Sequence, residues 1–279
     1  MGAATETAEQ VSQIHARLKE LALFLSDYAS ELLAVGATSA RVEANVGRMA
    51  DHFGAWADIA IFSRHIIMTV TDRATRHTYS VVGRSRHRPI SFLRNSSLSR
   101  MSWQVIDKDM TVADARAAFD EIVSKPHANV WMVLVLTSLA NMSFCYLFGG
   151  DLWAMLVVFL ATAVGYCAKI CLLDLKMDAR GVFVISAFCA TIIGCSCFVF
   201  RLGSTPEVAL GTSVLYLVPG IPFINSISDL IYGHNLCFLS RLTNASVLTR
   251  VLFISLATTI SHRLSPSASR LQAMCLSGA

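Results

Sequence analysis

Residues 218–229 place backbone-breaking and polar residues inside an otherwise apolar run. The residues with these properties are Pro219, Gly220, Pro222, Asn225, Ser226 and Asp229. The two prolines remove backbone donors and loosen a helix, and at membrane depth such a break occurs only where it lines a cavity or is buried in protein. Asn225 and Asp229 are four residues apart, which puts them on one helix face. Together with freed backbone carbonyls, they predict a site for a polar solute and a proton.

The same segment allows a plainer interpretation. A helix could end at the membrane interface, with Pro219 starting a polar loop and Asp229 acting as an interfacial cap. Apolar residues nevertheless continue past the break; they are Ile221, Phe223, Ile224, Ile227, Leu230 and Ile231. Asp229 is also one of five acidic residues after residue 127, and the other four lie close to predicted loops. Because a carboxylate inside a membrane segment is typical of proton pathways, the pattern favours the broken helix as the substrate or proton pathway.

Other polar side chains also lie inside apolar runs. Asn141 and Ser143 are either hydrogen-bonded contacts between helices or ligands of a solute. Lys169 either extends its amine to the cytoplasmic surface or pairs with a substrate carboxylate. We therefore count Asn141 and Lys169 among the candidate pathway residues.

The eight cysteines all follow residue 127 and lie in or beside apolar segments. They are Cys145, Cys167, Cys171, Cys189, Cys195, Cys197, Cys237 and Cys275. Such surroundings favour packing between helices over a disulfide framework or a metal site. No metal and no other cofactor is expected.

Long apolar segments must hold these polar residues. A helix needs about 20 apolar residues to cross a bilayer, and five segments meet this requirement: 129–148, 152–173, 181–201, 207–227 and 243–262. The chain is 54% hydrophobic and 15% charged, whereas soluble domains average about 25% charged residues. The predicted fold is therefore a membrane α-helical domain, 128–279, in which one helix is broken at Pro219–Pro222.

Charges in the loops predict the orientation of these helices. The basic residues of the loops after the second and fourth spans are Lys176, Arg180 and Arg241. Residues 149–151 carry no basic side chain, so the N-terminus is predicted inside and the C-terminus outside; Arg263 and Arg270 disagree with this scheme. The first residues lack the features of a signal peptide. We expect a multi-pass inner (plasma) membrane protein whose residues 1–127 are cytoplasmic.

Residues 1–127 form the polar part of the chain and hold 15 of its 23 Lys and Arg and 14 of its 19 Asp and Glu. Periodicity and turn residues predict an α+β domain with a small antiparallel sheet. Its predicted elements are helices at 9–34, 38–53, 96–106 and 112–124, and strands at 56–62, 66–71 and 78–82. Thr38 or Ser39 is expected to cap the second helix, with Glu43 near the third or fourth position of that helix. Thr111 is expected to cap the helix at 112–124.

Eight arginines follow one another in the strand region and just beyond it. They are Arg64, Arg73, Arg76, Arg84, Arg86, Arg88, Arg94 and Arg100, and Asp72 is the one acidic residue between 64 and 100. One interpretation is a surface that binds an anion or lipid headgroups. The other is a solvated sheet face held near the inner leaflet.

Two motifs resemble those of the threonine/serine exporter family. Residues 33–43, LAVGATSARVE, resemble its GA-x-x-x-RVE motif, and residues 217–230, LVPGIPFINSISDL, resemble its LVPG-x-x-x-x-N-x-x-x-D segment. The order of a helical motif, a small β-rich region and five spans also matches, so the resemblance covers nearly the whole chain. It assigns Pro219, Gly220, Asn225 and Asp229 to the membrane motif. It assigns Gly36, Arg41 and Glu43 to the motif at residues 33–43. Arg41 and Glu43 are expected to form a pair on the helix surface or to dock the soluble domain on the membrane half.

The resemblance implies proton-driven export of threonine and serine, or of a dicarboxylate such as succinate in split pairs. Full-length members carry a second, smaller membrane half, and an odd number of spans inverts naturally when duplicated. The chain resembles the larger component of the split form, so its expected partner is a small membrane protein that supplies the other half. Several copies of the chain could also assemble.

Other function classes are less favoured. An enzyme is not expected, because G-x-S-x-G, H-E-x-x-H and P-loop motifs are absent and His234 and His262 are isolated. A net charge of +4 is too small to indicate nucleic-acid binding. The remaining alternative is a membrane scaffold or sensor whose basic soluble domain binds an anionic ligand.

Overall fold

The computed structural model describes residues 2–276 except 63–64, 86–87 and 127; the side chains of residues 2–10, 179, 255–256 and 258–276 are not described. The helices are α1 (Gly2–Ala34), α2 (Ser39–His52), α3 (Phe92–Asp107), α4 (Val112–Ser124), α5 (Val130–Leu147), α6 (Leu152–Asp174), α7 (Ala179–Gly194), α8 (Ser196–Phe200), α9 (Pro206–Ser213), α10 (Gly220–Ile231) and α11 (Asn235–Leu276), with a short 3-10 helix at Leu215–Leu217. The strands are β1 (Ala55–Ile61), β2 (His65–Asp72) and β3 (Thr78–Arg84). The protein is mostly helical, as predicted, and carries a small sheet near its N-terminus.

Contacts group these elements into two units. The first unit contains Met1–Pro126 and Gly220–Thr243, and the second contains His127–Pro219 and Asn244–Ala279. Helix α10 and the first residues of α11 therefore belong with the N-terminal elements. The predicted division at residue 127 stays a prediction, because contacts within a chain do not locate a segment relative to a membrane.

The core of the first unit forms where α1 covers one face of the sheet. The strands pair antiparallel in the order β1-β2-β3, with Met68 opposite both Ile59 and Val81. In β2 the side chains of Ile66, Met68 and Val70 are buried while Ile67 is 43% exposed, as the period of two in a strand requires. The predicted antiparallel sheet is confirmed.

Polar caps fix where the helices of this unit begin. The Thr38 side chain accepts a hydrogen bond from the Arg41 amide at the start of α2, and Thr111 forms a reciprocal capping box with Asp114 at the start of α4. Both caps were predicted. Glu43 is the fifth helical residue after Thr38, too far along α2 to assist this cap, so that expectation is wrong. Helix α3 begins four residues earlier than predicted because Ser91 caps it.

Most of the long apolar helices lie in the second unit. Within the described residues, four helical segments are long and apolar enough to cross a membrane: Val130–Leu147, Leu152–Asp174, Arg180–Phe200 and Asn235–Ile254. The count becomes five if the interrupted pair Pro206–Leu217 and Gly220–Ile231 is taken as one span. The break predicted at Pro219–Pro222 is present slightly earlier, because helical structure stops at Leu217 and resumes at Gly220, which leaves Pro222 inside α10.

Candidate functional site

A polar cluster in the first unit forms where α10 meets the turn between α1 and α2. Asn225 and Asp229 are both buried, as expected of residues on one helix face. The Asn225 side-chain amide donates a hydrogen bond to the Gly36 carbonyl at 2.9 Å. The Ser39 backbone amide donates to Asp229 Oδ1 at 3.2 Å. The two sequence motifs, nearly 190 residues apart, therefore touch each other.

Arg241, in the first turns of α11, completes the cluster. Its Nη1 lies 2.9 Å from Asp229 Oδ2, and its Nη2 donates to the Ala37 carbonyl at 3.2 Å. Asp229 is 1% exposed, so Arg241 balances a carboxylate that water does not reach. The Nη1 and Oδ2 atoms are not aligned as a hydrogen bond, and their contact is purely an ion pair.

Local backbone geometry explains why the turn suits these partners. Gly36 has φ +97°, and a Cβ there would lie 3.0 Å from Ile90 Cγ2, so the turn needs a glycine. Ser39 is the first helical residue of α2, where amides have no partner within their own helix. Asp229 supplies that partner and places its negative charge at the positive end of the α2 dipole.

Arg41 and Glu43, the other residues of the soluble motif, have separate partners. Arg41 Nη1 donates to Asn95 Oδ1 at 3.1 Å, whereas Glu43 Oε2 lies 3.5 Å from His234 Nε2 between α10 and α11. They form no ion pair with each other in the described structure, so a helix-surface pair is not what the geometry shows. The contact of Glu43 joins α2 to the same α10–α11 segment as Asp229.

The remaining residues of the broken helix stand outside this cluster. The Ser226 hydroxyl donates to the Phe223 carbonyl of its own helix at 2.7 Å. Pro219 is buried, and Pro222 is half-buried in the first turn of α10, where a missing amide costs no hydrogen bond. Gly220 is exposed, with open space where a Cβ would stand. In the described structure these residues add no polar group to the cluster, and Pro219 lies in the break itself.

Asn141 and Lys169 lie in the second unit. Asn141 is 2% exposed and donates to Thr162 Oγ1 at 2.7 Å and to the Thr212 carbonyl at 2.9 Å. It therefore ties α5 to α6 and α9, and this is the first of the two roles predicted for it, a hydrogen-bonded contact between helices. Lys169 Nζ lies over the rings of Tyr166 and Phe183, 5.5 Å and 5.1 Å from their centroids.

Several arginines of the strand region are already engaged within the chain. Arg88 and Arg94 both pair with Glu31, at 3.0 Å and 3.3 Å. Arg73 pairs with Asp51, and Arg73 and Arg76 lie over the Trp56 ring. Arg64 and Arg86 fall outside the described residues. These four arginines of the strand region thus make contacts within the chain, which leaves fewer guanidinium groups of the eight to bind an anion.

Arg241 is the site residue that sequence reasoning missed. Its charge was interpreted only as a sign of loop orientation. A signal was present, since a basic residue close to an apolar helix start and following a buried acid is a candidate partner. Its position against Ala37, more than 200 residues earlier, depends on tertiary contacts that no local pattern contains.

Comparison with known proteins decides the family. The family model described as "Putative threonine/serine exporter" (ThrE) matches residues 24–264, a range that contains both motifs of the polar cluster. The chain belongs to this family. The resemblance drawn from the two motifs is therefore confirmed, and the protein is a membrane-embedded member of a transport family, which points to transport rather than catalysis.

Two curated relatives of this ThrE protein are named "Probable succinate transporter subunit YjjP". The protein from Klebsiella aerogenes is 36% identical over 122 residues, which are 43% of this chain and 46% of that protein. The protein from Escherichia coli K12 is 32% identical over 120 residues, 43% of this chain and 47% of that protein. The chain thus matches about half the length of either relative. No solved structure is detectably similar.

Proposed function

We propose that this chain is one subunit of a proton-coupled secondary exporter of small polar metabolites, completed by a smaller membrane protein. Membership of the exporter family over residues 24–264 is the observation that carries the proposal. The family description favours threonine and serine as solutes, whereas the names of the two relatives favour succinate and, through the word subunit, a partner chain. We place the exporter in the inner membrane, with residues 1–127 in the cytoplasm.

Asp229 carries the coupling proton in this proposal. When ionised, its carboxylate balances Arg241 and accepts from the Ser39 amide. Protonation cancels the negative charge that Arg241 faces and leaves the guanidinium without a counter-charge. A buried charge that loses its partner is strongly destabilised, so uptake of a proton favours separation of Arg241 from Asp229. Because both side chains also hold the Gly36–Ser39 turn, protonation is coupled to movement of α10 against α2.

The test is transport into inverted membrane vesicles that contain this chain and a candidate small partner. Uptake of labelled serine and of labelled succinate is measured with and without a proton gradient. We expect gradient-driven uptake of one of the two solutes, and we expect Asp229→Asn to abolish it. Exchange of labelled for unlabelled solute in the absence of a gradient should survive this substitution, since exchange requires the solute pathway but no net proton movement.

The matched control is Asp174→Asn, which neutralises an exposed carboxylate at the end of α6. It should leave gradient-driven uptake unchanged. Gradient-driven uptake by Asp229→Asn at the wild-type rate would remove Asp229 from the proton pathway. Absence of uptake of either solute, with the partner verified in the vesicles, would reject the exporter function and favour a scaffold or sensor.

A further inference from the structure

Lys169 in α6 is a cation without an acidic partner in the described part of the chain. It is half-buried, and its ammonium group faces aromatic rings of α6 and α7 rather than a carboxylate. A cation over an aromatic face gains about 0.5–2 kcal/mol. The cost of holding a charge inside a membrane helix is larger, so the rings alone do not compensate for it.

The direction of the side chain shows that Lys169 does not reach for the nearer end of its helix. Side chains in a helix lean toward its N-terminus, and Tyr166 lies one turn on that side of Lys169. The ammonium group over Tyr166 therefore points toward the middle of α6 and away from its end at Asp174.

Two buried hydroxyl groups without hydrogen-bond partners in the described residues lie where α6 packs against α7. They are the Tyr216 hydroxyl and Ser186 Oγ, and Ser186 is 0% exposed. The Tyr216 hydroxyl fills the space that a Cβ on Gly165 would take, next to the Ser186 carbonyl. Gly165 lies one turn from Lys169 on α6, and Ser186 lies one turn from Phe183 on α7. Helix spacing therefore places the three groups within about one turn of one another where α6 packs against α7.

All three groups can donate hydrogen bonds, and within the described residues none of them forms one. A buried polar group without a partner destabilises the structure, and an unpaired ammonium does so more strongly. One carboxylate would accept from the ammonium and from the hydroxyls, while the rings of Tyr166 and Phe183 would cover a short hydrocarbon portion. We propose that Lys169, Tyr216 and Ser186 bind the carboxylate of the transported solute. This inference rests on the transport function proposed above and assigns the residues that would bind the carboxylate.

The test compares two competitors of similar size and shape, one anionic and one neutral. Succinate and its diamide, succinamide, are used to inhibit uptake of the transported solute by the full chain with its partner. We expect the wild type to prefer succinate, and we expect Lys169→Gln to reduce this preference at least about tenfold, because it removes one partner of a desolvated charge pair. Lys169→Arg should retain most of the preference. Tyr216→Phe should weaken competition by succinate roughly two- to tenfold, the value of one hydrogen bond.

Lys176→Gln is the matched control, since it removes the same charge from an exposed position in the loop after α6; it should leave the preference intact. A Lys169→Gln protein that still prefers succinate to the wild-type extent would overturn the site.

A second readout needs no transport: succinate should raise the thermal unfolding temperature of the purified full chain, and succinamide should not. If the wild type binds succinate in this way but moves no solute, the site stands and the exporter function fails. If it neither binds nor moves succinate or serine, both fail.

Discussion

At the scale of single residues, the Asp229–Arg241 pair determines how the polar cluster behaves. A buried ion pair is not by itself a large source of stability, because desolvation offsets the attraction between the charges. Removing one charge is costly, since it leaves the other buried and alone. The proposed coupling mechanism uses this property, because a change in either charge alters the balance of the whole cluster. Hydrogen bonds to backbone groups of Gly36, Ala37 and Ser39 connect the cluster to the turn between α1 and α2. A change in the ion pair can therefore move this turn.

Gly36→Ala should disrupt this turn. The backbone at position 36 is left-handed, and the new methyl group would press on Ile90, so we expect a loss of about 1–3 kcal/mol in the free energy of unfolding. Thermal and denaturant unfolding of the purified chain in detergent would measure it.

Gly47→Ala is the control for that measurement. Gly47 lies inside α2, and no atom comes within 4 Å of the position that a methyl group would take there. Alanine should therefore stabilise the protein by about 0.5–1 kcal/mol. Equal effects of the two substitutions would show that the left-handed turn is unimportant.

Part of the polar cluster could be predicted from residue spacing. The 3.6-residue period of a helix places Asn225 and Asp229 together, and a carboxylate in an apolar run suggests a functional site as the default hypothesis. Their partners could not be predicted in this way. The Gly36 carbonyl and the Ser39 amide are backbone groups, and nearly every residue has them; only the fold selects which ones face α10.

At the scale of elements, local patterns located most helices and all three strands. Strand periodicity, caps at Thr38 and Thr111 and the prolines near residue 219 act over a few residues, and each is visible in the sequence. The fifth apolar segment was placed at 243–262, whereas its helix begins at Asn235. Hydropathy did not detect this start because Thr243 and Asn244 are polar. Polar side chains do not interrupt a helix when neighbouring elements or water form hydrogen bonds with them.

Arg94 links three elements of the first unit and offers a test at this scale. It is 7% exposed, pairs with Glu31 of α1, and donates to the carbonyls of Val123 and Lys125 at the end of α4. Arg94→Lys keeps the charge but removes the fork that reaches these groups. We expect a loss of about 2–3 kcal/mol in the free energy of unfolding.

Arg100→Lys, at an exposed position on the same helix, is the control and should change stability by less than about 0.5 kcal/mol. Denaturant unfolding of both variants would measure the two changes in the free energy of unfolding. If Arg94→Lys were as harmless as Arg100→Lys, the link among α1, α3 and α4 would contribute nothing to stability.

At the scale of the whole molecule, the proposed orientation gives a prediction that needs no transport assay. Single cysteines are introduced at Lys176, in the loop between α6 and α7, and at Glu207, at the start of α9; both positions are exposed. In spheroplasts, a membrane-impermeant maleimide should label Glu207→Cys above the wild-type background and should leave Lys176→Cys unlabelled. This follows from the positive charge that marks cytoplasmic loops.

Lysis of the spheroplasts should make Lys176→Cys reactive, which controls for its accessibility. The reverse labelling pattern would put the N-terminal residues outside the cell. Hydropathy and loop charge lead to this arrangement from sequence alone. They do not reveal that residues 220–243 pack with residues 1–126, because an apolar helix gives the same hydropathy whether its neighbour is lipid or protein.

The grouping of α10 with the N-terminal elements has a practical consequence for dissecting the protein. A fragment that ends at Pro126 would leave the carbonyls of Gly36 and Ala37 and the amide of Ser39 without their side-chain partners. A fragment in which a linker joins residues 1–126 to 220–243 would keep them. Its α10 would still expose Ile224, Ile227 and Ile231, so this minimal piece should partition onto detergent or lipid instead of behaving as a free soluble domain.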